Sequence, residues 1–185
     1  MIKELKQQTE QQMGAARDAV RHRLSKLRTG KASPALLHGV RVDYYGQPTP
    51  LNQIANIAAP EPRLLTVAPY DRSVIAAVEK AIRASDLGLN PASDGILVRV
   101  PIPELTEERR REYAKLAKEI AEEGRIAVRH ARQEANDRLK KLEKDRSVPE
   151  DELHNAKGDI QKITDRFVAE IDEIVKGKEK EILEL

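Results

Sequence analysis

Read as a helix, residues 105–146 bring Arg111, Lys115, Lys118, Arg125, Arg129, Arg132 and Lys140 onto one face. At ~100° per residue these seven fall within about 100° of one another. Arginine's planar fork grips a phosphate through two hydrogen bonds, whereas lysine acts as a point charge. Arg111 to Arg132 spans roughly 32 Å of helix, enough to follow several phosphates of a folded polyanion. Arg125–Arg129 and Arg129–Arg132 set like charges one turn apart, which disfavours a helix by about 0.2–0.5 kcal/mol per pair. A purely solvated face would more often interleave signs, as Glu134–Arg138 and Asp137–Lys141 do off the stripe. Glu122 and Asn136 interrupt the row. The stripe therefore reads as a phosphate-binding face, set against the plainer reading of a solvated surface.

Other chemistry finds no constellation. There is no G-x-x-x-x-G-K-[ST] loop for a nucleotide. His22, His38, His130 and His154 are scattered without ligand spacing, and cysteine is absent, so no metal site is expected. Asp43 has no evident partner, and Asp71 reads as a helix cap. No enzymatic activity, cofactor or small-molecule substrate is expected. The few aromatics are Tyr44, Tyr45, Tyr70, Tyr113 and Phe167. Such a chain would recognise RNA through shape and backbone more than by stacking bases. In an alternating strand one ring of Tyr44-Tyr45 must face outward, which a partner surface or a sheet edge explains equally well.

Three amphipathic helices must position the basic face. In residues 2–29, Ile2, Leu5, Thr9, Met13, Ala16, Val20, Leu24 and Leu27 recur at spacings of three and four, until Thr29-Gly30 and Ser33-Pro34 stop the helix. The second helix, residues 105–146, is capped by Thr106, with Leu105, Tyr113, Leu116, Ile120, Ala127, Ala131 and Leu142 as its apolar stripe. That stripe puts the basic face on the opposite side. Ser147-Val148-Pro149 turns the chain into a third helix with Leu153, Ile160, Ile163, Phe167, Ile171, Ile174 and Ile182 on one side. Three single-striped helices bury their stripes most simply as an elongated three-helix bundle.

Residues 31–104 follow another pattern. Val40, Val42 and Tyr44 alternate before a Gly46-Gln47-Pro48 turn, 51–58 and 64–68 read as strands, Asp71 and Ser73 open a helix, and Ile96 to Val100 closes as a strand. The fold class is α+β, with a small inserted β/α/β domain (31–104) interrupting a bundle made of 1–30 and 105–185. The chain crosses between them at Thr29, Gly30, Lys31, Ala32, Ser33 and Pro34, and at Pro101, Ile102, Pro103 and Glu104. These crossings suit a hinge, and also a rigid elbow.

Lys plus Arg number 33 and Asp plus Glu 31, so the net charge is only +2. Its distribution is uneven: residues 1–31 carry eight basic and three acidic side chains, and residues 149–185 six against eleven. The basic front (Arg17, Arg21, Arg23, Lys26, Arg28, Lys31) widens the cationic surface, complements the acidic third helix, or does both. No apolar run approaches the ~18 residues of a membrane span, and MIKELKQQTEQQ has no signal core, so a cytoplasmic protein is expected.

KLRTGKASPALL (26–37), VDYYGQPTPL (42–51), YDRSVIAAVEKAIRASDLGLNP (70–91), VPIPELTEERR (100–110) and RIAVRHARQEAND (125–137) resemble the ribosome recycling factor family in order and spacing. The resemblance implies a hinged, L-shaped protein close in size to tRNA, acting as a monomer on the post-termination ribosome. With elongation factor G and GTP it would split the subunits and release mRNA and deacylated tRNA. It implies RNA contacts on the large subunit by Arg129 and Arg132, and with them Arg125, Arg109 and Arg110. Arg111 and Lys118 join these from the stripe, and Arg28 and Lys31 from the basic front. Lys31 and Gln133 stand where the family pattern favours Arg. Two rivals are a coiled-coil-like structural or chaperone module, which leaves the segregated arginines unexplained, and a generic RNA chaperone, which would bind many RNAs alike.

Overall fold

The structure is a computed structural model and describes residues 1–183. In chain order the elements are α1 (Ile2–Ser25), a 3₁₀ turn (Pro34–Leu37), β1 (Arg41–Tyr44), β2 (Gln47–Pro50), α2 (Leu51–Ile54) and β3 (Ala55–Glu61). They continue with β4 (Leu64–Pro69), a 3₁₀ turn (Arg72–Val74), α3 (Ile75–Ala84), β5 (Ala92–Ser93), β6 (Val98–Pro101), α4 (Glu107–Lys144) and α5 (Glu150–Leu183). Among the described residues, 1–28 and 107–183 form one compact unit, and Thr29–Thr106 form a second.

The first unit is a three-helix bundle. Lys6–Asp159 and Arg17–Glu170, each 2.7 Å, set α1 parallel to α5. Arg138 donates to Gln8 at 2.9 Å and Arg23 pairs with Glu123, so α4 runs antiparallel to α1. Met13, Val20, Leu24, Ile120, Val128, Phe167 and Ile171 share one buried cluster, and Leu5, Leu139, Leu153 and Ile160 a second. The buried hydroxyls of Thr9 and Thr164 each donate at 2.8 Å to the carbonyl four residues back, so neither is left unsatisfied.

The buried face of α4 differs from the expected one. Leu116 is 38% exposed and Ala127 is exposed, while Ala117, Ile120, Ala121, Gly124, Val128, Ala131, Ala135 and Leu139 are buried. The large apolar side chains pointed to one face, but the small residues let α4 approach its neighbours closely on another. A Cβ at Gly124 would lie 2.2 Å from Cγ2 of Val20 and 3.4 Å from Cδ1 of Ile171. The basic row consequently lies about a quarter turn from the buried stripe, on the flank beside α5, and not opposite it.

Helix ends also shift. The last turn of α1 tightens into 3₁₀ bonds, Lys26 N–H to Arg23 C=O (3.2 Å) and Leu27 N–H to Leu24 C=O (3.1 Å), so the α-helix ends at Ser25 instead of 29. α4 stops at Lys144 because Arg146 is left-handed (φ 49°). Ser147 N–H then reaches Leu142 C=O and Arg146 N–H reaches Glu143 C=O, both 3.2 Å, a Schellman closure.

In the second unit β1 and β2 form a hairpin, and the other strands form an antiparallel sheet in the order β3-β4-β6-β5. Leu37, Val42, Leu51, Leu65, Val67, Val78, Ile82, Val98 and Val100 make its core. Residues 51–58 are not one strand. Leu51 and Ile54, both buried, sit three apart on one helical turn behind Pro50, and β3 begins only at Ala55. Likewise β6 starts at Val98, since the Asp94 carboxylate accepts the N–H groups of Ile96 and Leu97 at 3.0 Å in a turn.

The β1–β2 loop is Tyr45-Gly46, with φ of 50° and 83°, the type I′ geometry that two-residue hairpins favour. Tyr44 is half-buried against the core, and Tyr45 is the outward ring. The Tyr45 hydroxyl donates to Asp71 Oδ2 at 2.7 Å, while Asp71 Oδ1 accepts the Ser73 N–H at 2.9 Å as the cap of the 3₁₀ turn before α3. Hydrogen bonds from Tyr45 first, then Ser73, hold the Asp71 carboxyl below the ordinary aspartate value. The stability it contributes is therefore complete above the ordinary aspartate range and is lost as pH falls through the lowered folded value. Asp71→Asn should flatten the acid limb of unfolding, followed by tyrosine near-UV circular dichroism. An unchanged limb would show that this carboxylate carries none of the acid sensitivity.

Candidate nucleic-acid interface

Periodicity places the basic row along α4, but the neighbouring acids decide how much of its charge is available. Arg125 is 21% exposed and held at both edges: Nε donates to Glu122 Oε2 at 2.8 Å and Nη1 to Asp172 Oδ1 of α5 at 2.6 Å. Both carboxylates, Glu122 first, push the guanidinium pKa up. Arg129, half-exposed, donates to the other Glu122 oxygen at 3.1 Å. Arg125 and then Arg129 hold the Glu122 carboxyl below its ordinary value. Arg132 meets only the side-chain amide oxygen of Gln161, at 3.4 Å, and among the described residues no carboxylate pairs with it.

Toward the start of α4, Arg111 pairs with Glu107 at 2.5 Å and Arg109 with Glu112 at 3.1 Å, both pairs exposed. The Nε of Arg110 is buried without a hydrogen-bond partner among the described residues. Lys118 lies 3.8 Å from Glu179, Lys140 lies 3.5 Å from Asp137, and Lys115 is exposed. Arg28 is half-buried at the end of the bundle unit, whereas Lys31 belongs to the other unit and is exposed. The basic excess of α1 is partly spent within the bundle. Arg17 pairs with Glu170, Lys6 with Asp159 and Arg23 with Glu123. Arg17 and Arg166 also lie 5.3 and 4.8 Å from the centroid of the Phe167 ring.

Sequence reasoning saw Glu122 only as an interruption, although it stands three and seven residues before two arginines on one face. Asp172 had no local signal, because its link to Arg125 spans 47 residues.

The crossing residues are tied mainly to the second unit. Ala32 N–H donates to Pro62 C=O at 2.6 Å and Ile102 N–H to Arg63 C=O at 2.8 Å. Arg63 pairs with Glu104, Ser33 caps the Pro34 turn, and Pro101 pairs with Leu64 in the sheet. Lys31 N–H donates to Thr29 Oγ1 at 3.4 Å, and Gly30 takes a left-handed φ of 77°. Pro103 lies between the two anchored residues of the second crossing. Among the described residues no His, Asp or Glu cluster fits a metal ion, and no helix is long and apolar enough to cross a membrane.

The family model for ribosome recycling factor matches residues 20–183. The ribosome-recycling factors of Shouchella clausii and Syntrophomonas wolfei are 52% and 51% identical over the full length of both chains. The solution structure of a ribosome recycling factor, 38% identical, covers all of this chain and 98% of its own with a TM-score of 0.79. A model of the T. thermophilus factor, with E. coli elongation factor G on the E. coli post-termination complex, is 49% identical, covers 99% of both chains and has a TM-score of 0.67. These are translation factors and not enzymes. By full-length identity, fold and motif order alike, this chain belongs to the ribosome recycling factor family.

Proposed function

We propose that this protein disassembles the post-termination ribosome, with the α4 flank lying on large-subunit ribosomal RNA and elongation factor G with GTP supplying the work. mRNA and deacylated tRNA leave as the subunits part. The chain has no phosphate-binding loop to draw energy from a nucleotide itself. One observation carries the RNA reading: Arg132 presents a guanidinium that no carboxylate among the described residues neutralises, one turn from Arg129 on the same flank. Arg109, Arg110, Arg111, Lys118, Arg28 and Lys31 add diffuse positive charge around that centre. Bending between the units falls on Thr29, Gly30 and Lys31 in the first crossing and beyond Glu104 in the second, since Ala32, Ser33, Pro34, Pro101, Ile102 and Glu104 are fastened to the second unit and Pro103 lies between two of them.

Arg132→Ala should weaken binding to isolated large ribosomal subunits about tenfold, and make the slope of log affinity against log salt shallower by roughly 0.9. Unfolding free energy should change by less than ~0.5 kcal/mol, as for a half-buried surface side chain with no carboxylate partner and one long hydrogen bond. Binding unchanged beside a loss of several kcal/mol in stability would make Arg132 a structural residue and end this reading.

A further inference from the structure

Exposed ion pairs three or four residues apart on a helix add little to stability. The placement of Glu122 therefore calls for another account. Its two oxygens receive two different guanidiniums, Arg125 Nε at 2.8 Å and Arg129 Nη1 at 3.1 Å. Two forks converging on one anion is also how a phosphate would be held. Asp172 closes the far edge of Arg125 at 2.6 Å. Arg125 and Arg129 thus share two carboxylates of the protein's own, while Arg132 beside them meets none among the described residues.

We infer that Glu122, backed by Asp172, is a specificity-determining residue for RNA: it fills the arginine row with an internal anion, so that a phosphate chain meets a full cation at Arg132 and only part of one at Arg125 and Arg129. This rests on the reading of α4 as the RNA-contacting helix. Affinity for any RNA rises with the number of phosphates neutralised, whatever the sequence or shape. A row with its charge largely cancelled holds generic RNA poorly. A folded RNA of matching shape still gains from correctly placed contacts at Arg132 and beyond. Discrimination thus comes from weakening the wrong partners more than the right one. Like any glutamate Glu122 is charged at neutral pH, and its two arginines only lower its pKa further, so the filter is always set.

The test compares Glu122→Gln with Glu119→Gln in the full chain. Both remove one negative charge from α4, but Glu119 is exposed and pairs with no cation among the described residues. Binding is measured to poly(U) and to isolated large ribosomal subunits across a salt series, with thermal unfolding alongside. Relative to Glu119→Gln, Glu122→Gln should bind poly(U) about threefold more tightly at low salt, with a salt slope steeper by about 0.7. Its preference for large subunits over poly(U) should fall. Asp172→Asn, which frees the other edge of Arg125, should shift both quantities the same way and serves if Glu122→Gln folds poorly. Equal poly(U) affinity and slope in the two glutamine variants, or weaker poly(U) binding by Glu122→Gln, overturns the inference. Failure of the parent reading is visible separately in the unsubstituted protein, as binding to large subunits that does not respond to salt.

Discussion

Gly124→Val is expected to destabilise the bundle by about 2–3 kcal/mol, lowering its unfolding midpoint by roughly 10 °C. A bare Cβ at this position already overlaps Cγ2 of Val20 at 2.2 Å, and a valine adds two methyl groups beside Ile171. Val20 relieves little of this, because a β-branched side chain in a helix is largely confined to one rotamer. α1 and α4 must move apart, opening the cluster of Met13, Leu24, Ile120, Phe167 and Ile171. Gly158→Ala is the contrasting case. That helical glycine has nothing within 4 Å of its would-be Cβ, so the substitution should stabilise by about 1 kcal/mol through backbone entropy alone. Combining Gly124→Val with Val20→Ala should recover part of the loss, giving a double-mutant coupling of about 1 kcal/mol or more. Measured in urea, additive effects at 20 and 124 would mean that this contact does not limit how closely α1 and α4 approach.

Excising residues 29–106 and joining Arg28 to Glu107 through a flexible Gly/Ser linker of ~10 residues should leave a folded bundle that binds ribosomes but does not recycle them. The division of the core is the reason. Every side chain of the two bundle clusters lies outside 29–106, and every one of the inserted unit's core lies inside it. The crossing residues Ala32 and Ile102 also bond back to Pro62 and Arg63 of the excised unit, so those bonds leave with it. Circular dichroism should show a cooperative helical transition, and large-subunit affinity should stay within a few-fold of the intact chain. Splitting of post-termination ribosomes with elongation factor G and GTP should be abolished. A molten, non-binding product would contradict the independence of the bundle. An excised bundle that still splits ribosomes would remove the inserted unit from the mechanism.

Much of this architecture follows from local rules. In α1 and α5 the large apolar residues recur at three and four, and Leu5, Met13, Leu24, Ile160, Phe167 and Ile171 are all buried. Ser147 to Pro149 breaks α4 from α5, and Asp71 caps the turn that leads into α3, through interactions within a few residues of each other. α4 resisted the same reasoning. Apolar patterning weights bulk, so Leu116 and Ala127 pointed to a face that packing rejected in favour of Ala117, Ala121, Gly124 and Ala135. Close approach of three helices rewards small side chains, and which small side chains face a neighbour depends on the neighbour. The partners of the basic row were equally hidden. Arg125 meets Asp172 across 47 residues, and Tyr45 meets Asp71 across 26. Periodicity along a chain is a property of one helix or strand and reports its own faces. Charge neutralisation and close packing are properties of pairs of elements, so only the folded arrangement decided that Arg132 stands without a carboxylate while Arg125 is enclosed by two.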